Sequence, residues 1–213
     1  MEPLKNQSDV VFIVDDDAGV REALAALLRA RQLNCETFES ARAFEEHLSL
    51  RRGDFSQWPP TCLLLDVQMP GMDGFTLFDR LAERGVLDVV SVIFLTGHAD
   101  IPTAVDAVKR GAFDFCEKPP AGNTLYDRVV QGLDRSARAL SERARQAAVN
   151  SKLAELTERE QQIMRLVIDG MPNKLIADAL NISVRTVEVH RARTFEKMGV
   201  RSAVDLINTL RPR

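Results

Sequence analysis

The stretch VVFIVDDDAGVR, Val10 to Arg21, decides the fold: five apolar residues run straight into three carboxylates and then into a helix-period segment. A short continuous apolar run bounded by polar residues fits a strand buried on both faces, as in parallel sheets covered by helices. The same alternation recurs along the first 120 residues. NCETF (34–38) precedes ARAFEEHLSL, TCLLL (61–65) precedes GFTLFDRLAERG, VVSVIFL (89–95) precedes IPTAVDAVKRG, and AFDFC (112–116) precedes a long helical stretch. Five such units predict an α/β domain with a doubly wound, five-stranded parallel sheet.

The chain has 213 residues, 45% of them hydrophobic, which suits two domains. No apolar run approaches a membrane span, and Glu2 precedes any hydrophobic stretch, so neither a membrane segment nor a signal peptide is expected and the protein is expected in the cytoplasm. Cys35, Cys62 and Cys116 are far apart and lie in or beside apolar runs, which fits reduced, buried thiols. The net charge of −3 hides a gradient: residues 1–150 hold 17 Lys and Arg against 23 Asp and Glu, and residues 151–213 hold 11 against 8. An acidic front and a mildly basic back imply different partners.

From Asn123 to Leu156 the composition is that of a good helix, with a stripe of Leu125, Val129 and Leu133 that thins to Ala137, Leu140 and Ala144. The second half therefore reads as an exposed connector, or a dimer seam, with Gly132 as a flexible point. Short helices follow. TERE (157–160) is a capping-box start, Asp169-Gly170 a stop, Pro172 to Leu180 a second helix, and VRTVEVHRARTFEKMG a third, capped by Ser183 and ended by Gly199. SAVDLINTL closes the chain as a fourth. A helix, a tight turn and a basic helix make a helix-turn-helix.

In an open parallel sheet, chemistry collects at the carboxyl ends of the strands. Here those ends deliver Asp15, Asp16 and Asp17 from the first strand, Asp66 from the third, Thr96 from the fourth and Lys118 from the fifth. Crowded carboxylates repel unless a cation sits among them, and Mg²⁺, which takes oxygen ligands at about 2.0–2.1 Å, is the economical occupant. A carboxylate with a metal on one side and a lysine on the other can carry a phosphoryl group, and Asp66, alone on the middle strand, is the natural nucleophile. Asp17 is assigned to capping the next helix.

VDDD, LDVQMPGMDG, LTGHAD and EKP, in that order, resemble the receiver domain of two-component response regulators over residues 10 to about 135. The segment beginning LTEREQQIMRLVIDG is similar to the LuxR-type DNA-binding domain, so the whole chain resembles the NarL/FixJ group. The resemblance implies a flavodoxin-like sheet order 2-1-3-4-5, a receiver at 8–134, a helical linker at 135–152 and a helix-turn-helix domain at 153–213. It implies that Asp66 accepts phosphate from a sensor histidine kinase. It also implies that Asp15, Asp16, Asp66 and the Gln68 carbonyl serve Mg²⁺, that Lys118 pairs with the phosphoryl oxygen beside a cis bond to Pro119, and that Thr96 and Phe115 form a switch pair. Dimerisation on phosphorylation, through 101–110 and 113–130, and contact with double-stranded DNA and RNA polymerase follow by the same analogy. Three positions depart from the family pattern: Pro120 replaces an aromatic, Gln68 stands where phosphoryl lifetime is tuned, and Pro172 replaces a small cap.

On the third helix of the second domain, Val187, the Arg191 stem, Phe195 and Met198 share the inward side, and Arg185, Glu188, Val189 and Ala192 the outward side. An exposed valine and alanine among charges fit a DNA groove. With Thr186 and the marginal Lys174, His190 and Arg193 they form the expected DNA-binding set. A phosphohydrolase would need an acid where Gln68 stands, no GxGxxG supports a dinucleotide enzyme, and a pure protein-docking module would lack salt-dependent DNA binding. The chain is not expected to be an enzyme. His98 and His47 read as surface residues, and Met69 and Met72 as loop packing.

Overall fold

The computed structural model describes residues 9–50, 55–97 and 101–211, apart from the side chains of 56 and 101–104. The N-terminal segment and His98 lie outside the described residues. By packing, the chain divides into two compact units, Met1–Glu142 and Arg143–Arg213.

In the first unit, β1 (Val10–Val14), β2 (Asn34–Phe38), β3 (Thr61–Asp66), β4 (Val90–Thr96) and β5 (Asp114–Glu117) form one parallel sheet in the order β2-β1-β3-β4-β5. Successive side chains of a strand point to opposite faces. Val11 and Ile13 of β1 thus join Leu64, Ile93, Leu24 and Leu28 of α1 (Ala18–Arg29), and Leu125 and Val129 of α5 (Gly122–Ala154). Phe12 and Val14 join Leu63, Leu65, Phe94, Phe44 of α2 (Ala41–Leu50), Leu77 and Phe78 of α3 (Gly74–Glu83), and Ala107 of α4 (Ile101–Lys109). Burial on both faces is why the central strands β1, β3 and β4 read as apolar runs, whereas the edge strands β2 and β5 are only partly buried.

The 33-residue α5 departs from the sequence reading at Gly132. Gly132 is no flexible point: a Cβ there would stand 3.1 Å from Cys62 Sγ and 3.3 Å from Ser91 Cβ, and its carbonyl accepts a bond from Ser91 Oγ at 2.7 Å. Glycine lets the helix backbone lie directly on the sheet, where any side chain would crowd its neighbours. One turn on, buried Ser136 accepts the Thr61 N–H at 2.8 Å and donates to the Val89 carbonyl, tying the helix to the starts of β3 and β4. The last part of α5 is mostly exposed but is anchored in the second unit. Val149 is buried, Leu153 packs on the core of the second unit, Arg145 donates to the Thr209 and Arg211 carbonyls, and Lys152 to the Met198 carbonyl.

The second unit packs α6 (Glu158–Ile168), α7 (Asn173–Leu180), α8 (Val184–Met198) and α9 (Ala203–Leu210) around Leu156, Ile163, Ile176, Val187, Met198 and Leu206. Its helices begin where the sequence says. Thr157 and Glu160 close a capping box, Ser183 and Ser202 cap α8 and α9, and Gly199 ends α8 at φ 68°. Pro172 precedes α7 without a side-chain cap.

All three cysteines are free. Burial pushes the Cys62 thiol well up and that of Cys35 to about 11, the latter against the pull of Arg29. Among the described residues no helix is long and apolar enough to cross a membrane.

Candidate functional site

The carboxyl ends of β1, β3, β4 and β5 converge as the alternating pattern predicts. Asp15 is fully buried, Asp66 and Thr96 are each 4% exposed, and Asp16 faces solvent. Carboxylate oxygens of Asp15, Asp16 and Asp66 lie within 4.8 Å of one another. Lys118 reaches in from β5's end, its Nζ 2.6 Å from Asp15 Oδ2 and 3.0 Å from Asp66 Oδ1. The Lys118 N–H donates to the Thr96 carbonyl at 2.7 Å, and the Lys118–Pro119 bond is cis, as the resemblance implies.

Burial pushes the Asp66 carboxyl above its usual range. The Lys118 hydrogen bond opposes this, and Asp15 beside it adds to the rise. Burial pulls the Lys118 ammonium down, but Asp15 and Asp66 outweigh it and hold it above its ordinary value. One ammonium thus serves two buried carboxylates. One ammonium shared by an all-oxygen cluster of three carboxylates, two of them buried, leaves excess negative charge, and such a cluster is the donor set a hard divalent cation takes. The residues present fit Mg²⁺.

In the second unit, α7 turns through Asn181, at φ 52°, into α8. Val187 and Met198 face inward with Thr194, and Arg191 lies over the Phe195 ring at 5.2 Å and donates to Asn173 Oδ1. Arg185, Glu188, Val189, Ala192 and Arg193 are exposed on α8, as is Lys174 on α7. A helix-turn-helix with its second helix open on one side is built to enter a groove.

Comparison with known proteins decides between the readings. The family "Response regulator receiver domain" matches residues 11–130, and "Bacterial regulatory proteins, luxR family" matches 154–210. The C4-dicarboxylate transport transcriptional regulatory protein DctR of Rhodobacter capsulatus is 40% identical over 93% of this chain and 98% of its own. FixJ of Azorhizobium caulinodans is 39% identical, covering 92% of this chain and 89% of its own. The solved structure of the response regulator StyR superposes with a TM-score of 0.81 at 39% identity, over 95% of this chain and 98% of that one. The chain is a response regulator of the NarL/FixJ group. It is a transcriptional regulator, with a receiver domain ahead of a LuxR-type DNA-binding domain.

Within this response regulator, four expected residues sit less simply than the sequence suggests. Phe115 packs on Phe94, with ring centroids 6.3 Å apart, and its backbone is tied to Asp114 and Arg128. Thr186 spends its hydroxyl on Ser183 at the cap of α8. His190 is half-buried, and its Nδ1 is enclosed without a hydrogen-bond partner among the described residues. Glu188 is engaged by Arg185 at 3.4 Å. Asp17 caps α1 through bonds from Gly19 and Val20, as expected.

Two contributors escaped sequence reading. Arg21 Nη1 donates to the Asp15 and Asp16 carbonyls at 2.7 and 3.0 Å. Gly74 brings the start of α3 so close that a Cβ would stand 2.2 Å from the Asp66 carbonyl oxygen. The second was signalled by the final glycine of LDVQMPGMDG, at the start of a helix where glycine is otherwise disfavoured. The first carried no signal, since an arginine on a helix reads as solvated.

Proposed function

We propose that this regulator works by accepting a phosphoryl group on Asp66 from the phosphohistidine of a sensor kinase. An Asp66 carboxylate oxygen attacks phosphorus, the P–N bond breaks, and the imidazole leaves with the electron pair and takes a proton. The observation that carries this reading is one buried carboxylate flanked by two more and by an ammonium at 3.0 Å. Asp15, Asp16, Asp66 and the backbone carbonyl of Gln68 would hold Mg²⁺, which supplies positive charge against the oxygens of the transferring group. Lys118 neutralises a further oxygen, and the Thr96 hydroxyl, on the same rim, turns toward it with Phe115 following. Residues 8–134 act as the phosphoacceptor domain, 135–152 as a connector whose first turns still pack on the sheet, and 153–213 as the DNA-binding domain.

Phosphorylation favours a homodimer, which brings two copies of α8 to double-stranded DNA and regulates RNA polymerase from the cytoplasm. Shifting a state from about 1% to 99% takes roughly 5.5 kcal/mol, so dimer and DNA contacts must add to what one phosphoryl group supplies. Arg185, Glu188, Val189 and Ala192 of α8 face bases, while Lys174 of α7 and His190 and Arg193 of α8 sit toward phosphates, and Thr186 completes the DNA-binding set at the start of α8. Beyond its own phosphorylation and dephosphorylation the protein is not an enzyme.

Incubation with a small acyl phosphate and Mg²⁺ should add one phosphoryl group by intact mass, chelation should block it, and Asp66→Asn should not be labelled at an aspartate. Undiminished labelling of that variant would refute the assignment.

A further inference from the structure

We propose that Arg21 is a positioning residue for the metal site: its guanidinium holds the backbone of Asp15 and Asp16 so that both carboxylates are presented toward Asp66. The proposal rests on reading the acidic rim as a Mg²⁺ site. A single nitrogen, Nη1, donates to two successive carbonyls, Asp15 at 2.7 Å and Asp16 at 3.0 Å, from the first turns of α1. The chain here has just left the sheet, for β1 ends at Val14.

Asp15 is tied from several directions. Its N–H donates to the Phe38 carbonyl at 3.2 Å, its Oδ1 accepts from the Asp17 N–H at 3.0 Å, and its Oδ2 meets Lys118. Arg21 supplies the tie on its carbonyl. Asp16 is exposed, and the same guanidinium fixes its peptide plane. The start of α1 does not depend on Arg21, because Asp17 already caps it. What the guanidinium adds is the orientation of the loop that carries two candidate ligands, and bonds from a charged donor are the stronger kind.

Charge and position make opposite demands, which lets one sign decide. A cation beside a divalent site repels the metal, so if Arg21 acted by charge alone its removal would tighten binding. If it acts by ordering ligands, removal weakens binding, because the metal must then order the loop itself.

The test is a calorimetric titration of the full chain with Mg²⁺ alone, together with amide exchange in EDTA. Arg21→Ala should raise the Kd about tenfold, equivalent to about 1.4 kcal/mol. Arg21→Lys, which keeps the charge and can reach the carbonyls with poorer geometry, should raise it about threefold. Exchange at the Asp16 and Asp17 amides should quicken in both variants without metal. An unchanged or tighter Kd in Arg21→Ala overturns the proposal, including the case where only its melting temperature falls, which is what a merely structural arginine gives. If the alanine variant does not fold, the lysine variant decides by the same rule. Wild-type protein that binds no Mg²⁺ would instead remove the magnesium reading on which the proposal stands.

Discussion

The two ends of α5 dock by different chemistry. Its first half presents Leu125, Val129 and Leu133 at helical spacing to the sheet, with Gly132 and Ser136 allowing and fastening a close approach. Its last turns have a thin apolar stripe, and they dock with Arg145 and Lys152 on carbonyls at the C-terminal ends of α9 and α8. Helix ends leave orphan carbonyls that carry partial negative charge, so a cation is a chemically apt partner. Apolar docking shows in the sequence as a period; cationic docking looks like an ordinary solvated helix until the acceptor is known.

The contrast can be broken most sharply at Gly132. Gly132→Val forces a branched side chain against Cys62 and Ser91, and overpacking of that kind costs about 3 kcal/mol. Denaturant unfolding of the first unit should register it, and a variant as stable as wild type would mean that the helix simply lifts from the sheet. Ser136→Ala comes next: it leaves the Thr61 N–H and Val89 carbonyl buried without their partner, at a cost of about 2 kcal/mol.

A subtler probe uses pH on the second unit. The hydrogen bond from Lys197 and that from the Thr157 N–H hold the Glu160 carboxyl down at about 2, against an ordinary 4.5. A depressed acid stabilises the fold above its unfolded value. The contribution of Glu160 is therefore full above about 4.5 and is lost as pH falls through about 2. Thermal melts of Lys197→Met between those limits should show a shallower dependence on pH than wild type. Smallest of all, Lys152→Ala should cost the second unit about 0.5–1 kcal/mol by loss of one cation at a helix end, and leave the first unit unchanged.

Much of the fold was legible because burial on both faces leaves near-continuous apolar runs, and because Asp15, Asp66 and Thr96 each sit immediately after one and Lys118 one residue further on. β1 and β2 fall where the runs fall, while β5 begins at Asp114 and not Ala112, since an apolar run does not mark where a ladder starts. Asp15, Asp66, Thr96 and Lys118 were found by position alone. Arg21, Ser136 and the carbonyl contacts of Arg145 and Lys152 were not, because each acts on backbone atoms, and every residue supplies those alike. Gly132 was misread for a related reason: a missing side chain permits either bending or close packing, and only the neighbour across the gap distinguishes them.

The buried thiols have a practical consequence. With Cys35 held at about 11, only about one part in ten thousand of it is thiolate at neutral pH, and Cys62 is further suppressed beneath Gly132. Cys116 is shifted the same way. A maleimide dye or nitroxide should therefore pass over the native cysteines and react with one newly installed at exposed Ala192, so that α8 can be tagged and followed without first stripping the protein of its own sulfur.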